Sequence, residues 1–370
     1  MNCPRCGREL RDGEKFCPAC GYRLSAEETP VMFRQPKERS RAGRLVVAVL
    51  GLLLYVGLMF GSQSCVMSGY MTSLMLGNGM TTEISEEALI SQAESLITAT
   101  SEKLVEILLI SNLVTFLVLC LIFHLGRKSP AKCMGVNFVN PFRFITFAVF
   151  GSALNVFVSM TISLLPLPDE MLEIIDSQFA SLYTGAPLAV QILTVALVTP
   201  VVEELIFRGI GMRKLIPAAG KAGAVIITSL VFGFAHGTAA AVLYACVMGA
   251  IFAVMYVRYE SVLPSVAAHA FFNLASFWIA ELPENGVVQM GVYLISIAML
   301  VWCTYRIFVR YPTFNDILAD RESRIKPINS TEAEIMNRLR FIQEQQDHDI
   351  DALSDELEEL EKKWNENRRK

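Results

Sequence analysis

Long apolar runs, separated by short charged segments, dominate the chain between residues 45 and 305. A helix of about 20 apolar residues is long enough to cross the hydrocarbon core of a bilayer. The pattern therefore predicts an all-α protein, a polytopic bundle of about eight transmembrane helices. The predicted spans lie near residues 45–60, 104–124, 142–165, 187–207, 222–239, 240–257, 262–280 and 287–305.

The charges between these runs predict an orientation. Segment 24–44 is basic, whereas the predicted loop 61–103 carries five glutamates against the single Lys103. Basic loops stay on the cytoplasmic side of a membrane, and the remaining loops alternate in the same way. We therefore expect both termini to be cytoplasmic, in a multi-pass protein of the plasma membrane. The first span follows 44 residues, so it is interpreted as a signal anchor and not as a cleaved signal peptide.

Composition agrees with a membrane protein and excludes a typical nucleic-acid binder. Of 370 residues, 53% are hydrophobic and 18% are charged, with a formal net charge of −4. A soluble globular chain is usually about 25% charged. The charged residues are concentrated in the two terminal regions and in the loops, and no basic surface stripe is predicted.

Two copies of a Cys-Pro-x-Cys-Gly motif occupy the first 23 residues. The motifs supply four thiolates, the ligands that tetrahedral Zn²⁺ prefers: Cys3, Cys6, Cys17 and Cys20. Two disulfides or a redox pair are the alternatives, and the duplicated motif favours a structural zinc. Residues 1–23 resemble the zinc ribbons of many bacterial membrane proteins. A segment this short has no core, so we expect the metal to provide its folding energy and its role to be regulatory or adaptor-like.

The C-terminal region 309–370 is predicted to be a charged, cytoplasmic helical tail. From about residue 330, apolar residues recur at alternating steps of three and four, which is typical of a coiled coil. An amphipathic helix lying on the bilayer is the alternative. The coiled-coil interpretation implies self-association or a protein partner through 330–370.

Three polar clusters interrupt the apolar runs, and polar groups within a membrane are functional candidates by default. The first cluster contains Glu203, Glu204 and Arg208. Glu204 and Arg208 are four residues apart on a helix and can form an ion pair. Glu203 points about 100° away and has no such partner. An apolar environment disfavours the charge of an unpaired carboxylate, which suits a general base.

The second cluster is Phe232-Gly-Phe-Ala-His236, and the third places His269 and Asn273 on one helix face. Each cluster also has an ordinary structural explanation. A pair of glutamates can be a solvated helix end, a histidine can be a hydrogen-bonded packing residue, and an asparagine can join two helices. Their combined order and spacing favour a catalytic site.

The order Glu-Glu-x-x-x-Arg, Phe-x-x-x-His and His-x-x-x-Asn resembles the CPBP family, the CAAX protease and bacteriocin-processing proteins, also called the Abi family. This family includes the type II CAAX prenyl endopeptidases. The segment Ser261-Val-Leu-Pro-Ser-Val-Ala-Ala-His269 is similar to the family's approach to its second histidine. The resemblance covers about residues 142–280 and excludes the zinc ribbon, the first span and the tail.

The resemblance implies an all-helical intramembrane endopeptidase that hydrolyses membrane-associated or lipidated peptides and proteins. It implies that Glu203 and His236 activate a water molecule and that His269 and Asn273 stabilise the oxyanion. The residues expected to support the site are Glu204, Arg208 and Phe232.

Two mechanisms remain open within this interpretation. One is a metalloprotease with Glu and His ligands to a catalytic divalent metal, and the other is a metal-free glutamate base. The chain lacks the His-Glu-x-x-His helix of zincins, which slightly favours the base. A non-catalytic scaffold or immunity-type protein that recruits partners through the ribbon and the tail is the alternative function. A transporter is disfavoured because the polar residues are confined to three clusters.

The predicted domains are the ribbon (1–23), a basic linker (24–44), two spans with their loops (45–141), a protease core (142–308) and the tail (309–370). One geometric conflict accompanies them. Hydropathy places Glu203 toward the cytoplasmic end of its span and His236 toward the outer end of the next. The two can meet only if the span before His236 is short or tilted, or if Glu203 lies deeper. Pro200 can shift the register of the glutamate helix.

Overall fold

A computed structural model describes residues 40–77, 86–127, 129–137, 139–166, 168, 185–237, 239–279 and 281–313. These residues are helical or lie in short connections, and no strand occurs among them, in agreement with the predicted all-α class. The four ribbon cysteines and the tail from residue 314 onward lie outside the described ranges.

The helices follow the apolar runs, with polar residues at several of their starts. Asn285, for example, caps its helix by accepting hydrogen bonds from the N–H groups of Val287 and Val288 at 3.0 and 3.3 Å. The α-helices are α1 (Arg41–Gly77), α2 (Glu86–Glu102), α3 (Leu104–Leu125), α4 (Pro130–Cys133), α5 (Phe144–Leu164), α6 (Leu188–Gln191), α7 (Thr199–Glu204), α8 (Arg213–Phe234), α9 (Ala239–Tyr259), α10 (Leu263–Ile279) and α11 (Gly286–Tyr305). Helical π-segments cover Ile192–Val198, Leu205–Met212 and Arg306–Arg310.

In the described part of the chain, six helical stretches are long and apolar enough to cross a membrane. One of them, Leu188–Phe234, has 47 residues and is broken at Gly220, where φ is +74° and ψ is +169°. This backbone conformation favours glycine and divides the stretch into two spans. With the shorter apolar helix Leu263–Ile279, the total agrees with the predicted eight.

Two predicted boundaries are wrong. The region predicted as the loop 61–103 is largely helical, because α1 continues to Gly77 and α2 begins at Glu86. The span predicted to end at residue 207 continues to the break at Gly220. The charge of Arg208 suggests a membrane boundary, but this side chain is fully buried inside the protein. Glu203 therefore lies near the middle of the helical stretch from Leu188 to the break at Gly220, and not at its end.

Polar contacts between helices connect α1, α3 and α7. The hydroxyl groups of Ser62 on α1 and Thr115 on α3 are 2.5 Å apart. On the same α3, the Asn112 amide donates to the Thr199 hydroxyl at 3.0 Å. Such contacts hold helices together where lipid and protein interior are equally apolar. The second of them fixes α7, which carries both glutamates.

Helices α5 and α10 approach each other closely at Gly151. A Cβ atom at this position would collide with the carbonyl group of Ala268. One turn away on α5, the Asn155 amide donates to the Ser276 hydroxyl at 2.9 Å. A small residue is thus required on α5 to seat α10, and Ala268 directly precedes the candidate residue His269.

Candidate active site

Pro200 shapes the helix that carries the glutamates. Proline has no N–H group, so it cannot donate to the carbonyl of Val195 or Ala196, five and four residues earlier. The helix has π geometry over Ile192–Val198, immediately before this point. The Asn273 amide of α10 donates to the Val195 carbonyl oxygen at 2.9 Å. Asn273 thereby connects α10 to the irregular turn that precedes the glutamates.

Glu204 and Arg208 form the predicted ion pair. Arg208 Nη1 donates to Glu204 Oε1 at 2.7 Å, and both side chains have no exposed surface. Arg208 Nη2 donates to the Gly249 carbonyl at 2.9 Å, while the guanidinium group lies 4.5 Å from the Phe232 ring centroid. A buried charge of this kind is tolerated only because it is paired and hydrogen-bonded. The pair joins the glutamate helix to α9.

His269 connects both glutamates. Its Nδ1 atom is 3.0 Å from Glu204 Oε1, and its ring stacks on Phe252 with centroids 4.8 Å apart. An ionised carboxylate can only accept, so Nδ1 is the donor. Nε2 lies 3.8 Å from Glu203 Oε2. The imidazole is therefore held in one orientation, with its second nitrogen facing Glu203.

Glu203 differs from Glu204 in its surroundings. Its side chain retains 14% exposure, whereas that of Glu204 has none. Among the described residues, no hydrogen bond to the Glu203 carboxylate occurs, and His269 is its only ion-pair partner. Consecutive helical residues point about 100° apart, which gives these neighbouring carboxylates opposite environments. The Glu203 carboxylate is partly exposed, whereas the Glu204 carboxylate is fully buried.

His236 lies just beyond the end of α8. Its Nδ1 donates to the Phe232 carbonyl oxygen at 2.8 Å, one helical turn earlier. This bond leaves the Nε2 atom of a neutral ring with a free lone pair. The His236 ring is 4.7 Å from the Phe232 ring, and Phe232 is in turn 6.0 Å from the His269 ring. Phe232 thus packs between the two histidines.

The structure brings the three sequence clusters together around Phe232 and His269. The link between His236 and the glutamates runs through the Phe232 ring, which also covers Arg208. Asn273, predicted beside His269, donates one amide N–H to the Val195 carbonyl. Its second N–H has no hydrogen-bond acceptor among the described residues. The residues that support the site and were not identified from the sequence are Phe252, Asn112, Thr199 and Gly151.

The arrangement of possible metal ligands in the candidate site is limited to what the described residues provide. Within the described ranges, no group of three or more histidine, cysteine, aspartate or glutamate side chains is arranged to hold a metal ion. Glu204 is instead committed to Arg208 and His269.

The packed bundle of membrane-length helices around a buried cluster of ionisable groups defines a multi-pass integral membrane protein. Residues 185–275 match the family described as type II CAAX prenyl endopeptidase Rce1-like. Residues 2–24 match the zinc-ribbon domain family. Both resemblances drawn from the sequence are thereby confirmed over these ranges, and the first supports an intramembrane endopeptidase of the CAAX type. No curated protein and no solved structure matches the chain at a significant level.

Proposed function

We propose that the chain hydrolyses peptide bonds of membrane-associated or lipidated substrates, with Glu203 as the general base. The unequal exposure of the two glutamates supports this assignment most directly. Glu204 is occupied by Arg208 and His269, whereas Glu203 retains exposed surface and, among the described residues, forms an ion pair with His269 alone. A general base must reach the water that it deprotonates, and of the two glutamates Glu203 meets this condition.

In the proposed reaction, Glu203 removes a proton from a water molecule while the water oxygen bonds to the substrate carbonyl carbon. The Nε2 lone pair of His236 accepts a hydrogen bond from the second O–H of that water and thereby orients it. The carbonyl π bond breaks and its oxygen becomes an oxyanion. Collapse of this intermediate breaks the C–N bond, and the proton held by Glu203 passes to the leaving amine.

The oxyanion needs donors placed before the reaction begins. His269 donates to Glu204 through Nδ1, and an added proton on Nε2 makes the ring a cation with a second donor. Glu204 stabilises that imidazolium as a buried carboxylate. The remaining N–H of Asn273 supplies the other donor.

Glu204, Arg208 and Phe232 are proposed to position this machinery without touching substrate. The zinc ribbon is proposed to regulate the enzyme or to recruit a partner, since four cysteine ligands leave no open position at zinc. The 330–370 tail is proposed to mediate self-association.

A cleavage assay on the purified full chain in lipid vesicles tests the proposal. Lipidated and unmodified transmembrane peptides are incubated with the protein, with and without a chelator, and the products are identified by mass spectrometry. We expect a single endoproteolytic cut that Glu203→Gln abolishes and that the exposed-loop variant Glu281→Gln leaves unchanged. Absence of cleavage for every peptide, or equal cleavage by Glu203→Gln, would refute the proposal. Loss of cleavage with chelator and its recovery with added metal would favour the metal-dependent alternative.

A further inference from the structure

A separate cavity of about 320 Å³ opens where three membrane spans end. Lys221 comes from the residue after the Gly220 break, Glu260 directly follows α9, and Phe308 lies in the last helical turn after α11. Because these span ends meet around one cavity, the cavity lies at the level of the membrane surface. The charge pattern of the loops predicts that this surface is the cytoplasmic one.

Three charged side chains line the cavity: Lys221, Arg258 and Glu260. Arg258 is hydrogen-bonded to backbone carbonyls, whereas the opposite charges of Lys221 and Glu260 are not paired with each other. Among the described residues, neither the Lys221 ammonium group nor the Glu260 carboxylate has a side-chain hydrogen bond or an ion pair. Burial raises the pKa of the Glu260 carboxyl group, although Lys221 and Arg213 act in the opposite direction. A ligand with a cationic donor would supply the stabilisation that this carboxylate lacks.

The position of Glu260 is fixed by its backbone. The backbone of Glu260 adopts a left-handed conformation with φ at +48°, which is uncommon for residues other than glycine. Its N–H donates to the Tyr256 carbonyl at 2.7 Å, and its own carbonyl accepts from the Asn137 amide. The Ser261 hydroxyl donates back to the Asn137 carbonyl at 2.8 Å. The carboxylate is therefore presented from a locked turn.

On the opposite side of the cavity, hydrogen bonds from Arg258 hold the end of the last span in place. Arg258 donates from Nε to the Ile307 carbonyl at 2.6 Å and from Nη2 to the Tyr311 carbonyl at 2.8 Å. These bonds fix the end of the last span, which carries Phe308. Val254, which is 42% exposed, also lines the cavity. The cavity thus combines apolar lining residues, Val254 and Phe308, with the charged residues Lys221 and Glu260.

We propose that this cavity binds a phospholipid whose headgroup carries both a phosphate and a primary amine, such as phosphatidylethanolamine. Lys221 contacts the phosphate, the ammonium group of the lipid donates to Glu260, and the acyl chain packs on Val254 and Phe308. A lipid whose headgroup carries only negative charge would be repelled by the Glu260 carboxylate. Phosphatidylcholine has the same net charge, but its quaternary amine has no N–H to donate.

Native mass spectrometry of the detergent-purified full chain tests this assignment. The probes are phosphatidylethanolamine, phosphatidylcholine and phosphatidylglycerol with identical acyl chains. Phosphatidylcholine cannot make the charge-assisted hydrogen bond to Glu260, so we expect phosphatidylethanolamine to bind about tenfold tighter, which corresponds to about 1.4 kcal/mol. Glu260→Gln should remove this preference, and Lys221→Gln should weaken binding of both zwitterionic lipids.

Two variants of the same chemistry serve as controls. Lys214→Gln and Glu281→Gln change exposed residues that do not line the cavity, and they should bind all three lipids as the parent protein does. Equal affinity for phosphatidylethanolamine and phosphatidylcholine would overturn the proposal, as would tighter binding of phosphatidylglycerol. Equal losses of lipid affinity in Lys214→Gln and Lys221→Gln would show that the net charge of the protein, and not the cavity, determines binding. That result would also overturn the proposal. If the Tm shows that Glu260→Gln does not fold, the lipid affinities of Lys221→Gln and Lys214→Gln still test whether the cavity binds the lipid. Release of bound lipid by a substrate peptide would overturn it too, by reassigning the cavity to peptide binding.

Discussion

The Nδ1 atom of His269 lies 3.0 Å from Glu204 Oε1, the same oxygen that accepts a hydrogen bond from Arg208 at 2.7 Å. One buried carboxylate thus orients a candidate catalytic imidazole and neutralises a guanidinium group with no exposed surface. The support of the site and the burial of its charge depend on a single side chain. This sharing makes the effects of Glu204 and Arg208 on stability strongly non-additive.

A double-mutant cycle on Glu204 and Arg208 tests the shared carboxylate. Removing one partner of a buried ion pair costs about 3–5 kcal/mol, because the other charge is left alone. We expect Arg208→Ala to lower the Tm and the folded yield, and Glu204→Gln with Arg208→Ala to recover part of both. Thermal unfolding in detergent measures the coupling. If instead Glu203 and Arg208 are coupled and Glu204→Gln alone removes activity, the roles of the two glutamates are reversed.

Glu203→Gln and His236→Ala should remove catalysis while the protein stays folded and inserted. General acid–base groups contribute about 10²- to 10⁴-fold to rate, so the initial rate should fall by at least about 100-fold. The Tm should change little in Glu203→Gln, since the substitution removes a partly exposed charge and strands none. Parent-like turnover in either variant would contradict the catalytic assignment.

Gly151→Ala tests whether the α5–α10 contact positions His269. The added Cβ would collide with the Ala268 carbonyl, and overpacking of this kind costs about 1–3 kcal/mol. We expect a lower Tm, together with a reduced kcat at nearly unchanged KM. Gly57→Ala is the matched control, because a Cβ atom at that helical glycine meets nothing within 4 Å. Similar effects in both variants would trace the loss to the helix backbone and not to His269.

The sequence is sufficient for the number of spans and for the Glu204–Arg208 pair, because both depend on local spacing along one helix. It misplaces the end of the glutamate helix, since Arg208 has the charge of an interfacial residue although the protein itself buries it. The extension of α1 to Gly77 is missed because polar and small residues after Phe60 lower the apolar signal without ending a helix.

Contacts between distant segments leave no pattern in the local sequence. The stacking of Phe252 on His269 joins residues of α9 and α10, and Asn112 reaches Thr199 from a helix outside the matched family range. Nothing in their local sequence distinguishes them from other core residues. The helical stretch that continues to Gly220 and the short second half of α8 before His236 correspond to the two ways in which the sequence allows Glu203 and His236 to meet, a deeper Glu203 and a short span.

The zinc ribbon offers a prediction that is independent of the membrane site. Replacing Cys3 and Cys6 by serine removes two of four thiolate ligands, and a segment without a core unfolds when its metal is lost. We expect bound zinc, measured by elemental analysis of the purified chain, to disappear. Serine at Cys65 and Cys120, free cysteines outside the ribbon, should leave the zinc content unchanged. Cleavage of a short membrane peptide should persist in the ribbon variant, because the proposed chemistry uses residues of the helical bundle alone. Loss of all cleavage at unchanged Tm would show instead that the ribbon takes part in turnover.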